Sequence, residues 1–516
     1  MRGRFIKPII TNNIRDDDHD DHIVEDEPLS PAARLFQSTE LNCSIIIVLG
    51  SNTIIDVDAV KSGFINSMVK HPRFSSLFVI NDKNGGRMSW RRTKVDIHKH
   101  VFVPELDPNM EFSDKFVQDY ASNLTKTGLD LAKPLWELHI LNVKTSDATA
   151  TAILKLHHSI GDGISIMSLF LASSRKASDP ESLPSLPKGK RPTSFWNNCC
   201  SFWGILFTIW TIILMVFNTL VDVMNFAATA LFLKDTDTPL KGTSENIELS
   251  CKRIVHRIFS LDDIKLVKSA MNTTINDVLL GITMAGLSRY LSGKYATRSN
   301  PNDRDQITGS ENGNYLPANI RFRSTLLYNL RPSTGIESLA KMMEKGSKVR
   351  WGNLIGYVLL PITIALPDDP LDYVRKAKAI VDRKKSSLEA ICSYSVGRII
   401  LELFGLKQTA AMMYKTISNT TMSFSNVVGP REEISFYGHQ LSYIAPSVYG
   451  QPQALTVHWQ SYSEKMILVL TVDPDVIPDY NNLCTDFEAS LKLIRDAVIQ
   501  SRSVVPVQAK TGHKQD

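Results

Sequence analysis

From Pro192 to Val221, thirty consecutive residues carry no charge. The centre of this run, Phe202 to Phe217, is apolar on every face, broken only by Gly204, Thr208 and Thr211. A helix that is apolar all round must be buried in protein or in lipid. At 1.5 Å per residue, about 20 such residues reach roughly 30 Å, the thickness of a bilayer core. The run predicts a membrane-associating helix; the alternative is a buried core helix. Just downstream, Asp222, Asn225 and Thr229 share one helical face, and Val221, Met224, Ala228 and Leu231 share another. That pattern suits a helix lying at an interface.

This apolar segment, about 199–233, divides the chain. It sits in a linker, 174–246, whose first part places Pro180, Pro184, Pro187 and Pro192 among Ser, Lys and Arg. On either side lie two stretches able to bury a core, 28–173 and 247–503. Two halves are also what 516 residues require, since one ordinary core stops growing well before that length. In the first half, Ser44 to Leu49 and Ala148 to His158 read as strands, Val57 to Val69 as a helix, and Ile164 to Ala172 as a second helix. In the second half, helices are expected at 261–270, 275–291 and 370–388, with a surface loop at 292–313. Strands are expected at 421–428, 454–460 and 465–472. The fold class is therefore α/β.

Charge is uneven. Residues 16–27 hold eight acids and no Lys or Arg, so 1–27 reads as a disordered acidic tail; 504–516 is read as a second. The other residues carry 58 basic against 45 acidic groups, a basic body suited to an anionic cofactor or membrane surface. No basic stripe interleaved with aromatics is present, so nucleic acid is not an expected partner. Six cysteines without a CxxC pair indicate neither a zinc site nor a disulfide framework, and no metal site is expected.

The chemistry concentrates in His157-His158-Ser159-Ile160-Gly161-Asp162-Gly163. Alternation along the preceding strand puts His158 on its apolar face with Leu154 and Leu156, and His157 on the more polar face. Desolvation lowers the pKa of an imidazole and keeps it a proton acceptor near neutral pH. Beside a substrate alcohol, His158 is placed to act as general base. Asp162 is expected to tie the turn down through an ion pair. Gly163 is expected to supply backbone freedom that a Cβ would deny.

The string resembles the active-site motif of the CoA-dependent acyltransferase superfamily, and in detail the plant-type bifunctional wax ester synthase/diacylglycerol acyltransferase family. Further strings resemble that family in the same order: Glu27 to Ser30, Pro134-Leu135-Trp136-Glu137, Lys234 to Gly242, Asn276-Asp277-Val278, Leu316 to Arg321, Gly352-Asn353 with Gly356, and Ser425 to Pro430. The resemblance implies two chloramphenicol-acetyltransferase-like half-domains around a shared channel. It implies His158 as base with His157, Asp162 and Gly163 in support. Pro134, Leu135 and Trp136 would line or brace the acyl site, or else be core packing. Asn276 and Asp277 would support the channel, or else cap a helix. Ser425 to Pro430 would be a strand crossing between halves, or else a turn.

The implied reaction moves a long-chain acyl group from acyl-CoA to a fatty alcohol, with diacylglycerol as a lesser acceptor. Acyl-CoA is a substrate, and no cofactor is implied. Membrane lipid is the implied environment: the endoplasmic reticulum membrane with both halves facing the cytosol, or else the plasma membrane. Two halves sharing one site must lie on one side of a bilayer. The apolar segment is therefore expected to dip in and return, or to lie at the interface. A soluble-type acyltransferase is disfavoured by the lack of a DFGWG string, and a serine hydrolase by the lack of G-x-S-x-G. A lipid-binding tether with no activity is the non-enzymatic alternative.

Overall fold

Runs of β-branched and apolar residues set the strands. Ser44–Ser51 (SIIIVLGS) is buried at every position, as expected of a central strand covered on both faces. In the computed structural model, residues 26–81, 86–107, 109–186, 202–242, 251–298, 314–331 and 351–503 are described. The acidic tail up to residue 25, linker residues 187–201, loop residues 299–313 and the tail 504–516 lie outside them.

In chain order the elements are β1 (Glu27–Pro28), α1 (Pro31–Phe36), β2 (Ser44–Ser51), α2 (Val57–Asn66), β3 (Ser76–Asn81), β4 (Arg87–Arg92) and β5 (Val101–Phe102). Next come α3 (Ser113–Leu124), β6 (Trp136–Leu141), β7 (Ala150–His157), α4 (Gly163–Ala172), β8 (Ser174–Lys176), α5 (Phe202–Leu231) and β9 (Arg253–Ser260). They continue with α6 (Leu261–Ala270), α7 (Ile275–Arg298), β10 (Arg323–Asn329), β11 (Ile355–Pro361), α8 (Asp372–Lys385) and α9 (Glu389–Ser418). Last are β12 (Met422–Val427), β13 (Ile434–Phe436), β14 (His439–Tyr449), β15 (Leu455–Tyr462), β16 (Lys465–Val472) and α10 (Tyr480–Ser503).

The strands form a seven-stranded sheet, β5-β6-β7-β2-β14-β13-β8, a six-stranded sheet, β11-β10-β12-β15-β16-β9, and a small sheet, β1-β4-β3. Three of these placements differ from the sequence expectations. Ser174–Lys176, expected in the linker, is an edge strand paired with β13. Two strands of the second half, β13 and β14, join the first half's sheet, β14 paired with β2 from Tyr449↔Ser44 to Leu441↔Ser51. Ser425 to Val427 does not cross: it lies in β12 inside the six-stranded sheet, parallel to both β10 and β15.

The chain clusters into two compact units. The first comprises Met1–Phe259, Arg321–Pro361 and Lys384–Pro478, and contains both large sheets. The second is helical, built from α6, α7, most of α8 and α10. There α7 packs closely enough that a Cβ on Gly286 would meet the Phe487 ring at 2.9 Å. The helix α7 runs on to Arg298, so the first residues of the expected 292–313 loop are helical.

α5 is one unbroken helix of 30 residues, about 45 Å long. The expected dip and return does not occur within 202–231, because nothing there interrupts the hydrogen-bond ladder: the only Gly is Gly204, near the start, and there is no Pro. Its polarity is also reversed from an ordinary surface helix. Asp222 and Thr229 are buried against the protein, while Phe207, Trp210, Phe217, Leu220 and Met224 are exposed. Lys384 reaches Asp222 at 2.9 Å, and Leu388 N–H donates to Thr219 Oγ1 at 2.9 Å. Asn419 Nδ2 donates to the Thr229 carbonyl at 2.6 Å. Asn225, expected on the same face as Asp222 and Thr229, is instead exposed.

Candidate active site

β7 ends at His157, and the backbone N–H of His158 donates to the Cys43 carbonyl at 3.0 Å, extending the pairing with β2 by one residue. The chain then turns through Ile160 and Gly161 into α4, whose N-cap is Asp162. The two histidines are both buried, so the polar face expected for His157 is a polar pocket and not solvent. The cause is a set of partners. His157 Nδ1 accepts from Gln37 Nε2 at 3.1 Å and lies 2.7 Å from Ser159 Oγ; Nε2 lies 2.9 Å from Asn42 Oδ1. Both ring nitrogens are thereby occupied. Burial, then the neighbouring His158, pushes the His157 pKa down to about 3.

His158 differs. Its Nδ1 lies 3.2 Å from Asn353 Oδ1. The amide of Asn353 is itself oriented, because Nδ2 donates to the His158 carbonyl at 2.9 Å and reaches the Ser159 carbonyl at 3.5 Å. With Nδ2 so engaged, Oδ1 must face the ring, and Nδ1 must carry the proton. That tautomer leaves the lone pair on Nε2. The Phe36 ring packs at 4.2 Å between centroids. Burial holds the His158 pKa below its ordinary value, although the Asp162 carboxylate and the Asn353 bond pull the other way. The result is a neutral imidazole with one nitrogen fixed and the other available.

Asp162 is clamped from residues far along the chain. Oδ1 accepts the Ser165 N–H at 3.0 Å as a helix cap. Oδ2 accepts from Arg331 Nη1 at 2.7 Å and from the Leu354 N–H at 3.1 Å. The Arg331–Asp162 pair is almost wholly buried. Gly352 completes the clamp: its carbonyl accepts from Arg331 Nη2 at 2.6 Å and from Ser165 Oγ at 3.0 Å. Its φ of +109° is a conformation that only glycine adopts without strain. Trp351 Nε1 donates to the Ile160 carbonyl at 2.8 Å. The turn carrying His158 is thus held by residues 331 and 351–354.

Gly163 does not play the part expected. It is not in the left-handed region, and a Cβ there would meet only Val427 Cγ2, at 3.7 Å. The turn does not need glycine; what glycine leaves is open space beside Val427.

Pro134, Leu135 and Trp136 are buried. The Leu135 carbonyl accepts the His157 N–H at 3.0 Å, and Trp136 is sealed in the core against Phe64, Phe74 and His100. Trp136 Nε1 donates to the Phe74 carbonyl at 2.8 Å. Asn276 and Asp277 lie in the second unit, at the start of α7. There Asp277 Oδ2 accepts the Thr274 N–H at 2.8 Å, and Thr274 Oγ1 accepts the Asp277 N–H at 3.2 Å, a reciprocal capping box.

Sequence reasoning missed Phe36, Gln37, Asn42 and Arg331, and it quoted Asn353 without giving it a role. Ordinary residue types far from the motif carry no local signal. The only available hint was Gly352-Asn353 beside an apolar strand.

Comparison with known proteins finds relatives along most of the chain. Residues 43–279 match the wax ester synthase/diacylglycerol acyltransferase catalytic domain, and residues 351–495 match the WS/DGAT C-terminal domain. The chain is 50% identical over 482 residues to wax ester synthase/diacylglycerol acyltransferase 11 of Arabidopsis thaliana, covering 92% of this chain and 96% of that one. It is 49% identical over 490 residues to number 5 of the same series, covering 93% and 95%. Among solved structures, it resembles the wax ester synthase/diacylglycerol acyltransferase from Marinobacter aquaeolei VT8, with a TM-score of 0.54 and 16% identity over 91% of this chain and 99% of that one. It also resembles the condensation domain of the Monacolin K polyketide synthase MokA, with a TM-score of 0.51 and 12% identity over 92% and 97%. At these identities the structural likeness is one of fold.

Proposed function

The chain belongs to the wax ester synthase/diacylglycerol acyltransferase family, and from that premise we propose that His158 is the general base that joins a long-chain acyl group to a long-chain alcohol. Diacylglycerol is the second acceptor in this reading. The observation that carries it is the fixed tautomer of His158, with Nδ1 held by Asn353 and Nε2 left as acceptor.

The steps follow from that nitrogen. The alcohol oxygen attacks the thioester carbonyl carbon of acyl-CoA as its proton passes to Nε2. A tetrahedral oxyanion forms. It collapses with cleavage of the C–S bond, and the CoA thiolate takes the proton back from Nε2. The products are an ester, free CoA thiol and a neutral His158. Such a base is worth about 10²- to 10⁴-fold in rate. Arg331, Asp162 and Gly352 act through the turn, by holding His158 in place.

α5 supports a membrane setting, since it is long and apolar enough to cross a bilayer and its outward residues are exposed and apolar. An endoplasmic reticulum membrane with the catalytic unit on the cytosolic side is part of this reading.

The test is transfer of labelled palmitate from palmitoyl-CoA to hexadecanol or to diacylglycerol, by membranes carrying the protein or His158→Ala. Wax ester formed only with His158 present, at least 100-fold above the variant, supports the reading. Equal transfer by the variant overturns the assignment of the base. Label in triacylglycerol alone overturns the choice of acceptor.

A further inference from the structure

The second half of α5 and the first half of α9 lie side by side, and a cavity of about 160 Å³ runs between them. Val223, Phe226 and Ala230 line it from α5, and Val396, Ile400 and Met413 from α9. One charged residue, Glu389, borders it, and its carboxylate is paired with Lys384 at 2.6 Å. No Lys or Arg is among the lining residues. Flanking positions on both helices are exposed and apolar: Leu220 and Met224 on α5, Ile391, Ile399 and Leu403 on α9. The groove therefore lies among exposed apolar side chains, with the exposed Arg398–Glu402 pair of α9 beside them.

Its inner end leads to the base. Phe226 and Met413 share a cluster with Leu41, Ile417 and Tyr357. Tyr357 is two residues from Ile355 on β11, and Ile355 packs with Phe36 and Cys43. The Phe36 ring lies against His158. Two apolar clusters, one at Tyr357 and one at Ile355 of β11, therefore lie between the groove and the catalytic imidazole.

We propose that the groove between α5 and α9 takes the alkyl chain of the acceptor alcohol directly from the bilayer and feeds its hydroxyl toward His158. This deepens the transferase reading and rests on it. Three observations favour that occupant. The oily surround matches a molecule dissolved in lipid, not one arriving through water. The absence of lining cations is wrong for the phosphates of CoA, so the donor is not the ligand. The cavity itself is narrow, about 160 Å³, which suits one slender chain better than the two of a diacylglycerol.

Gly397 gives the test. It lines the groove, and a Cβ on it would meet nothing within 4 Å. A larger side chain there leaves the backbone into open space, and replacing a helical glycine does not weaken the helix. Full-length protein in nanodiscs is assayed with palmitoyl-CoA and either hexadecanol or hexanol. For Gly397→Phe we expect the KM for hexadecanol to rise at least tenfold, while kcat/KM for hexanol changes less than threefold. The control is Gly293→Leu, at an α7 glycine with equally open surroundings, which should alter neither value. In parallel, a diazirine-tagged hexadecanol should label Val396, Met412 or Met413 in the unaltered protein and not in Gly397→Phe. An unchanged hexadecanol KM, or label mapping elsewhere, overturns the proposal. Label displaced by dipalmitoylglycerol but not by hexadecanol overturns the choice of occupant. If the unaltered protein uses neither alcohol, the transferase reading has failed, and the labelling arm alone decides the groove.

Discussion

Two neighbouring histidines differ here because their second nitrogens differ. His157 has both nitrogens occupied and serves as part of the scaffold. His158 has one nitrogen held by Asn353, which is 195 residues away in sequence. This assigns Asn353 as a positioning residue, and its replacement by Asp should show it. A carboxylate 3.2 Å from Nδ1 would favour the imidazolium. The base must be neutral to work, and burial now holds its pKa below the ordinary 6.5. kcat/KM of the unaltered protein should therefore be flat above pH 6.5 and fall only on the acid side. In Asn353→Asp the fall should begin about 1–2 pH units higher, in the range seen for carboxylate neighbours. An unshifted acid limb would show that Asn353 does not govern the charge of His158. The motif made His158 legible; no local pattern singles out an asparagine as its orienting partner.

At the scale of the element, α5 shows what a one-dimensional pattern records and what it omits. An uncharged run of this length was plain in the sequence. Which face meets protein was not, because the polar residues that dock it find their partners far along the chain. Arg323 is the clearest case: its Nε reaches Asp235 at 2.6 Å, its Nη1 contacts Thr229, and its Nη2 reaches the Leu233 carbonyl at 2.8 Å. Asp235 is wholly buried. Arg323→Met would strand that carboxylate, and breaking a buried pair from one side costs about 3–5 kcal/mol. Thermal unfolding in detergent should fall sharply for this variant. Trp210→Ser, on the exposed face, should shift it within the ±0.5 kcal/mol usual for surface changes, but should lower recovery on liposomes. A large loss of thermal stability with Trp210→Ser would mean that the exposed face is covered by protein. Other elements were hidden for a related reason. α9 has no clean amphipathic period, being broken at Gly405, where φ is +78°. β14 can be recognised as a crossing strand only by its pairing with β2.

At the scale of the molecule, the first unit buries histidine in unusual number, and this sets its response to acid. Burial is the largest cause in each case: it pushes His157 down to about 3, His100 and His458 down to about 4, and His71 and His158 below their ordinary value. The unfolded chain binds protons at these sites near pH 6.5, while the folded chain does not. Folding is therefore unopposed by these groups above pH 6.5 and increasingly opposed as pH falls below it. The penalty grows until the folded values are reached, at about pH 3–4 for His157, His100 and His458. One group contributes about 1.4 kcal/mol per pH unit, so these three together contribute about 4. Set against the 5–15 kcal/mol that typically separates folded from unfolded protein, this implies marked destabilisation near pH 5. Tm measured from pH 8.5 to 4.5 should be level above pH 7 and drop steeply below 6.5. Activity lost at pH 5 should then fail to return on neutralisation, whereas titration of His158 alone would be reversible. A Tm level down to pH 5 would show that these histidines accept protons without unfolding the unit, and the acid limb of the rate profile would then report on His158 by itself.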